Sequence, residues 1–203
     1  MATLNATNLK HASSSSNNIV LAADGSTTIS NLSGGVGKIK QVKTNTTRNS
    51  TGSVHCNPTK TYVDIPDQNV TITPTAATSK IKISFQQFGE TSNSEHIFSF
   101  RIKRAISGGA TTEITAASSG NKSGVLTMPL LGYEGSDHNS TPAIAHLANY
   151  IDSPNTTSPI TYTVTVGNHE MTGYYYYNRT ITTNDATSTE LGLSWITVEE
   201  VTA

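Results

Sequence analysis

The sequence predicts an all-β protein built as an antiparallel sandwich or jelly roll, and three observations lead to this prediction. Ser and Thr together make up more than a quarter of the chain, while hydrophobic residues account for only 34%. Threonine is β-branched and suits the pleated, half-exposed surface of a sheet. From about Pro58 onward, short segments that alternate apolar and polar residues follow one another, with turn residues between them. No long helical pattern is visible.

Four segments in the middle of the chain carry the strand signal most plainly. "TYVDI" and "NVTIT" flank a turn at Pro66–Gln68. "KIKISFQQF" places Ile81, Ile83 and Phe85 on one face, with Lys80, Lys82 and Ser84 on the other. "HIFSFRIKRAI" does the same with Phe98, Phe100 and Ile102 against Ser99, Arg101 and Lys103. We therefore expect two half-buried strands, each with one face in the core and one face in water.

The segments that follow are read in the same way, with one exception. "TTEITA", "ITYTVTV", "GYYYYNRTI" and "LSWITVEEV" are each typical of a strand. In "YIDSPNTTSPITYTV", Asp152 to Asn155 predict a rigid turn before a strand over Ile160–Val166. The exception is "PAIAHLANYI" (142–151), whose Ala and Leu content permits a short helix with Pro142 at its first position, although its setting between strands favours a strand equally.

The first 57 residues differ from the remainder and are predicted to be a separate segment. They contain no Trp, Tyr or Phe, and their apolar run "NIVLAA" is followed by the turn pair Asp24-Gly25 and a second short strand, which predicts a hairpin over Ile19–Leu32. Such a segment cannot build a core of its own. The predicted division is therefore a stem over residues 1–57 and a β domain over residues 58–203.

Charge is distributed unevenly between these two parts. The first 60 residues hold six basic residues against Asp24 alone, whereas the whole chain has a formal net charge of -1. This excess of positive charge indicates either docking on an acidic partner or simply a solvated strand face. Nucleic-acid binding is not expected, because the segment has no aromatic side chains to stack on bases and few basic ones.

Cysteine content and hydropathy bear on where the chain is made. Cys56 is the only cysteine, so an intrachain disulfide is excluded. The opening "MATLNATNLKH" has no apolar stretch typical of a secretion signal, and no run approaches the roughly 18 apolar residues of a membrane span. We expect synthesis and folding in a reducing cytoplasm, with no membrane insertion.

Signs of catalytic chemistry are weak throughout the sequence. The six histidines form neither an HxxxH nor an HxH pair, and Cys56 has no second cysteine for a zinc site, so neither a metal nor another cofactor is expected. His55 and Cys56 are adjacent and would point to opposite faces of a strand, which favours a buried or inert thiol over a nucleophile and its base. "SGGVGK" lacks the first glycine and the Ser/Thr of a phosphate-binding loop. Paired carboxylates for glycoside cleavage are neither indicated nor excluded.

The tyrosine run Tyr174, Tyr175, Tyr176 and Tyr177 is the most conspicuous cluster. In a strand, two of these rings face one way and two the other. One interpretation is that one pair fills the core while the other covers a subunit contact or a sheet edge. The other is that the outward pair stacks on the sugar rings of a polysaccharide. Trp195, flanked by Leu193 and Ile196, is expected in the core or in an interface.

Two stretches resemble a known group of proteins. "TLNATNLKHASSSSNNIVLAADGSTTI" (3–29) resembles the opening of tail-fibre and related virion proteins of marine bacteriophages, especially cyanophages. "YIDSPNTTSPITYTV", "YYNRT" and "LSWITVEEV" resemble the closing strands of a C-terminal domain of such fibres, which is similar to the trimeric jelly rolls of the TNF/C1q type. The resemblance covers about a third of the chain and implies a TNF/C1q-like jelly roll that forms a homotrimer. The chain is short for a fibre and has no repetitive shaft.

The resemblance implies a structural role without catalysis. The expected function is a structural protein on the surface of a tailed-phage virion, which binds other virion proteins of the tail or capsid through its N-terminal segment and presents the jelly roll for host-surface adhesion. The expected anchoring residues are Lys10, Ile19, Val20, Leu21, Lys38, Lys40 and Lys43. One alternative is a capsid head-fibre or decoration protein that stabilises the particle. Others are a carbohydrate-active enzyme on a β-scaffold and a cellular lectin-like module.

Overall fold

The computed structural model describes residues 8–9, 12, 15, 19–21, 23, 27–29, 39–47, 51–59, 61–92, 98–130, 142–182 and 189–201. The chain divides into two compact units, Met1–Val36 and Gly37–Ala203. All regular structure in the described residues is β-strand: β1 Asn8–Leu9, β2 Ile19–Leu21, β3 Thr27–Ile29, β4 Ile39–Thr46, β5 Gly52–Cys56, β6 Val63–Ile72, β7 Lys80–Thr91, β8 Phe98–Ile106, β9 Thr111–Ile114, β10 Ala143–Asp152, β11 Ile160–Asn168, β12 Gly173–Tyr177 and β13 Trp195–Val201. Within the described part there is no helix long and apolar enough to cross a membrane.

The first unit contains a small antiparallel sheet in the order β1-β2-β3. β2 pairs with β3 with Ile19 opposite Ile29, which confirms the predicted hairpin. Ile19 and Val20 are both only half-buried, although neighbouring residues in a strand point to opposite faces. Strands of two or three residues with partly open faces are too small to be stable alone.

The second unit is a sandwich of two antiparallel sheets, so the all-β prediction is confirmed. One sheet has the order β6-β11-β8-β9; in the other, β7 is central, with β10 on one side and β13 followed by β4 on the other. β12 continues along the same edge of β7 beyond β13, and β5 pairs with β12. Without the β5–β12 pair, the eight remaining strands form two four-stranded sheets, and every consecutive pair except β8–β9 crosses from one sheet to the other, which is the order of a jelly roll.

The core lies between the two sheets and is built from the predicted alternation. Ile81, Ile83 and Phe85 of β7 are fully buried, and they face Phe98 and Phe100 of β8 within one hydrophobic cluster. The apolar face of β11 contributes a further set of buried side chains: Ile160, Tyr162, Val164 and Val166. The strand register therefore follows from which residues must leave water.

The ambiguous segment 142–151 forms β10, a strand and not a helix. Its backbone pairs with β7 from Ala143 opposite Gly89 to Asp152 opposite Ile81, with an irregularity between Leu147 and Tyr150. Asn149 in that irregularity has a φ of 61°. Pairing along the full length of β7 outweighs the modest helix preference of Ala and Leu.

The boundary between the two units lies at residues 36 and 37, not at residue 57 as predicted. β4 pairs with β13 and β5 pairs with β12, so both of these strands belong to the sandwich. Both strands lie at the margin of their sheet, where most of β4 remains exposed. A marginal strand needs few large side chains, which is why the lack of aromatic residues was a poor guide to the boundary.

The side-chain amides of β4 join the open edges of the two sheets. Asn45 Nδ2 donates to the backbone carbonyls of Asp67 and Asn69 at 2.7 and 2.8 Å. Gln41 Nε2 donates to the carbonyl of Thr73 at 2.6 Å. These bonds satisfy carbonyl groups at the edge of β6 that no neighbouring strand of its own sheet reaches.

The outer face of β8 was expected to be wet, and this prediction is wrong for its first half. Ser99 is fully buried and Arg101 is nearly so. The Tyr62 ring covers them: its hydroxyl lies 2.5 Å from Ser99 Oγ, and the Arg101 guanidinium carbon lies 3.8 Å from the ring centroid. Arg101 Nε also donates to the carbonyl of Gly124 at 2.9 Å, which holds the 122–124 segment against the sheet.

Candidate functional site

The four consecutive tyrosines of β12 are divided between two environments. Tyr175 and Tyr177 point into the core, and the Tyr175 ring meets Phe100 edge-on at a centroid distance of 5.3 Å. Burial raises the pKa of Tyr175. Of the four candidate tyrosines, these two therefore cannot form a surface site, which leaves the outward pair. Tyr174 is 45% exposed and Tyr176 is half-buried, and both belong to the outer face of the sheet.

Tyr174 and Tyr176 are part of a longer aromatic strip, which we define as His55, Tyr174, Tyr176 and Arg179. Tyr174 pairs with His55 of β5 in the register, and their ring centroids are 4.9 Å apart. The centroids of Tyr174 and Tyr176 are 6.2 Å apart, with the planes tilted by 39°. The guanidinium carbon of Arg179 lies 4.7 Å from the Tyr176 centroid.

Arg179 holds one end of the strip in place. It follows β12 directly, after Asn178, whose φ is 61°. Asn178 is fully buried and donates from Nδ2 to the carbonyl of Thr47 at 2.8 Å. This anchored turn fixes the direction in which the chain leaves β12. The cation–π contact and the backbone bonds of Arg179 then stiffen a long side chain that would otherwise be mobile.

The strip offers side chains that are suited to binding. Aromatic faces and a guanidinium offer stacking and charge-assisted hydrogen bonds. Within the described residues, no group of three or more His, Cys, Asp or Glu side chains comes together as a metal site would require.

The residues predicted to anchor the chain fall into separate places. Ile19, Val20 and Leu21 lie in β2 of the first unit, whereas Lys40 and Lys43 are exposed on β4 of the second unit. Lys10 and Lys38 lie outside the described residues. The seven residues therefore do not form one described cluster. Their role in anchoring stays a prediction.

His55 and Cys56 point to opposite faces of β5, as predicted for adjacent residues of a strand. Cys56 is fully buried, while His55 is exposed on the opposite face of β5. Burial raises the pKa of the Cys56 thiol to about 12. A thiol that stays protonated and out of contact with solvent is not a nucleophile.

A buried polar cluster that the sequence did not reveal joins Tyr62, Ser99 and His169. His169 Nε2 lies 2.6 Å from Ser99 Oγ and 2.9 Å from the Tyr62 hydroxyl. The Ser–His distance resembles that of a catalytic pair, but Ser99 has no exposed surface from which to reach a substrate. The cluster instead fastens Tyr62 over β8. Its members are far apart in the sequence, and the pairing of β11 with both β6 and β8 brings them together.

Comparisons with known proteins do not assign the chain to a family. No protein-family model matches the chain, and a search of curated proteins finds no similar sequence.

Proposed function

We propose that this chain is a non-enzymatic structural protein of a tailed-phage particle, a homotrimer that attaches to the particle by its N-terminal segment and presents its jelly roll for adhesion to the host surface. Two things support the proposal: the resemblance of residues 3–29 and of the closing strands to virion fibre proteins, and the jelly-roll strand order of residues 39–201. The observation that carries the proposal is a difference in side-chain composition between the outer faces of the two sheets.

The outer face of the six-stranded sheet is rich in apolar side chains. Val42, Ile144 and Ile151 pair in the register with outward-facing residues of β13 and β7, and they are 51%, 39% and 51% exposed. Trp195 lies half-exposed on this face, and its ring meets His146 at a centroid distance of 6.1 Å. An extended apolar surface of this kind marks a site of protein association.

Lys82 and Glu199 form an ion pair at the centre of this face, with Lys82 Nζ 2.7 Å from Glu199 Oε2, which leaves little net charge there. The outer face of the four-stranded sheet instead carries the ion pairs Lys103–Asp64 and Arg101–Glu113, whose acidic members are partly exposed. We assign the part of the first face that lies on β4, β13, β7 and β10 to contacts between copies of the chain, and we assign its β5–β12 part and the second face to solvent.

The small first unit fits an anchoring role. Its three strands are two or three residues long, and both Ile19 and Val20 remain half-exposed. A sheet this small becomes stable by adding strands or by packing on another protein. Repeated weak contacts made by the jelly rolls of a trimer would sum by multivalency.

The location of the protein on the particle tests this function. Gold-labelled antibody against residues 58–203 is expected to mark the tail or its fibres when particles that carry the protein are imaged by electron microscopy. Labelling over the capsid would support the alternative, a head-fibre or decoration protein that stabilises the particle. Absence of the protein from purified particles would overturn both.

Self-association through the apolar face is tested by two matched substitutions. Ile144→Asp places a charge on the apolar face and is expected to reduce the mass in solution to that of a monomer. Thr112→Asp introduces the same charge at an exposed position of β9 and is expected to leave the mass unchanged. Equal effects of the two substitutions would contradict the assignment of the faces.

A further inference from the structure

Arg179 presents a fixed and partly unused hydrogen-bonding edge at the end of the aromatic strip. Its Nη1 donates to the backbone carbonyls of Thr180 and Ile181, both at 2.9 Å. The guanidinium plane also lies over the Tyr176 ring. These contacts hold the group in one orientation and use only one of its three nitrogens.

The two remaining nitrogens form the edge that faces away from these carbonyls. Among the described residues, neither Nε nor Nη2 of Arg179 has a hydrogen-bond partner, and neither is among the buried polar atoms that lack one. The described carboxylates also form no ion pair with Arg179. A guanidinium edge with parallel N–H groups matches the two oxygens of a carboxylate.

Glu90 is the acidic residue that the register places beside Tyr176. It is fully buried, and its Oε2 accepts a hydrogen bond from the backbone N–H of Ile181 at 2.7 Å. Its carboxylate is therefore engaged below the surface and does not occupy the free edge of Arg179.

The remainder of the strip is a row of aromatic rings whose planes are tilted against one another by 39° and 59°. The rings of Tyr176, Tyr174 and His55 follow one another along the sheet, at centroid spacings of 6.2 and 4.9 Å. A π face carries partial negative charge and attracts the weakly positive C–H groups on the face of a pyranose ring. The strip thus combines a stacking surface with a carboxylate-binding edge.

We propose that His55, Tyr174, Tyr176 and Arg179 form a shallow binding site for a carboxylate-bearing saccharide, with a sugar ring on the exposed Tyr174, the carboxylate on Nε and Nη2 of Arg179, and the Tyr176 ring supporting Arg179. The proposal rests on the adhesive role proposed above and names the class of host-surface ligand. An open strip on a sheet face suits a linear acidic polysaccharide better than an acidic peptide, whose backbone amides would find no neighbouring strand edge to pair with there.

Binding to a panel of immobilised oligosaccharides tests this site. The panel contains uronate oligomers, each matched with its methyl ester, and poly-glutamate as an acidic peptide. We expect the protein to bind at least one uronate series and to bind the matching ester at least tenfold more weakly, because esterification removes the charge but keeps the ring.

Three variants locate the binding. Arg179→Gln and Tyr174→Ser are each expected to weaken uronate binding about tenfold or more. Lys122→Gln removes one exposed positive charge from another loop and is the matched control, expected to bind as the unmodified protein does. Tyr174 is exposed, so its variant tests the site even where Arg179→Gln disturbs the turn after β12.

The results separate failure of this site from failure of the proposed function. Equal binding of acids and esters, preference for poly-glutamate, or no binding to any uronate would overturn the saccharide site. If Arg179→Gln and Tyr174→Ser leave the binding of the trimer to host cells unchanged, the saccharide site would also be overturned, while the adhesive role would stand. Absence of both trimer and cell binding would overturn the proposed function itself.

Discussion

Arg104 and Asp152 join the two sheets of the sandwich through a buried ion pair. Arg104 Nη1 of β8 lies 2.7 Å from Asp152 Oδ1 at the end of β10. The other oxygen, Oδ2, accepts a hydrogen bond from the hydroxyl of Tyr162 at 2.7 Å. Burial, together with the Asp152 carboxylate and this hydrogen bond, raises the pKa of Tyr162, so its hydroxyl remains a donor. The turn that follows β10 therefore begins at a fixed point between the sheets.

Removing Asp152 is expected to destabilise the sandwich strongly. Asp152→Ala leaves a buried guanidinium without its partner, and loss of one member of such a pair costs about 3–5 kcal/mol. The free energy of unfolding, followed by far-UV circular dichroism in urea at one protein concentration, measures the cost. Asp64→Ala breaks the more exposed pair with Lys103 and is the matched control, with an expected cost of about 1 kcal/mol or less. Equal losses in the free energy of unfolding of the two variants would contradict the stabilising role of the Arg104–Asp152 pair.

Glu200 is expected to make the protein lose stability in acid. Burial alone would raise the pKa of its carboxyl, but hydrogen bonds from Ser79, Gln41 and Thr75 outweigh burial and lower the pKa from 4.5 to about 2. A carboxyl group whose pKa is lowered by folding stabilises the folded state at pH values above its ordinary pKa. This stabilisation is lost as pH falls from about 4.5 towards 2.

Glu200→Gln tests this acid dependence. The substitution is expected to cost about 1–3 kcal/mol at neutral pH, because charge-assisted hydrogen bonds are weakened. It should also flatten the fall in stability between pH 4.5 and 2, which urea unfolding at a series of pH values measures. Glu113→Gln, at a partly exposed carboxylate, is the control. An unchanged pH profile in Glu200→Gln would show that other groups cause the loss.

Truncation of an inward-facing tyrosine of β12 is expected to cost far more stability than truncation of an outward-facing one. Tyr175→Ala leaves a cavity beside Phe100 and should cost about 3–5 kcal/mol. Tyr174→Ala removes an exposed ring and should change stability by about 0.5 kcal/mol or less. Thermal unfolding of both variants checks the difference. A large loss of stability in Tyr174→Ala would mean that its ring has a structural role.

Cys56 is expected to be inert in the folded protein. It is fully buried, and burial raises the pKa of its thiol to about 12, so the reactive thiolate is scarce near neutral pH. Titration with a chromogenic disulfide reagent should show no reaction under native conditions and one thiol per chain in denaturant. Rapid native reaction at pH 7 would contradict the burial of this side chain.

The sequence predicts the strands better than it predicts the polar side chains that form hydrogen bonds between them. The alternation of Ile81, Ile83 and Phe85 is visible in one short segment because burial of one sheet face imposes it directly. The closing strand was predicted too, but nothing local shows that Glu200 points inward to meet Ser79, because those residues are far apart in the sequence. Contacts between distant strands of this kind emerge only from the fold.

The candidate site shows the same limit. Tyr174 and Tyr176 were singled out because alternation in a strand puts them on one face. Arg179 was missed, since its role depends on the turn at Asn178 and on the ring beneath it. His55 was examined only as a neighbour of Cys56, whereas β5–β12 pairing places it against Tyr174.

The mass of the protein in solution tests the central claim most directly. Multi-angle light scattering of the purified chain is expected to give about three times 21.5 kDa, since the apolar side chains on the β4, β13, β7 and β10 part of the six-stranded sheet would be covered by further copies. A mass of 21.5 kDa that does not rise with concentration would contradict the trimer, and with it the assignment of that face to contacts between copies.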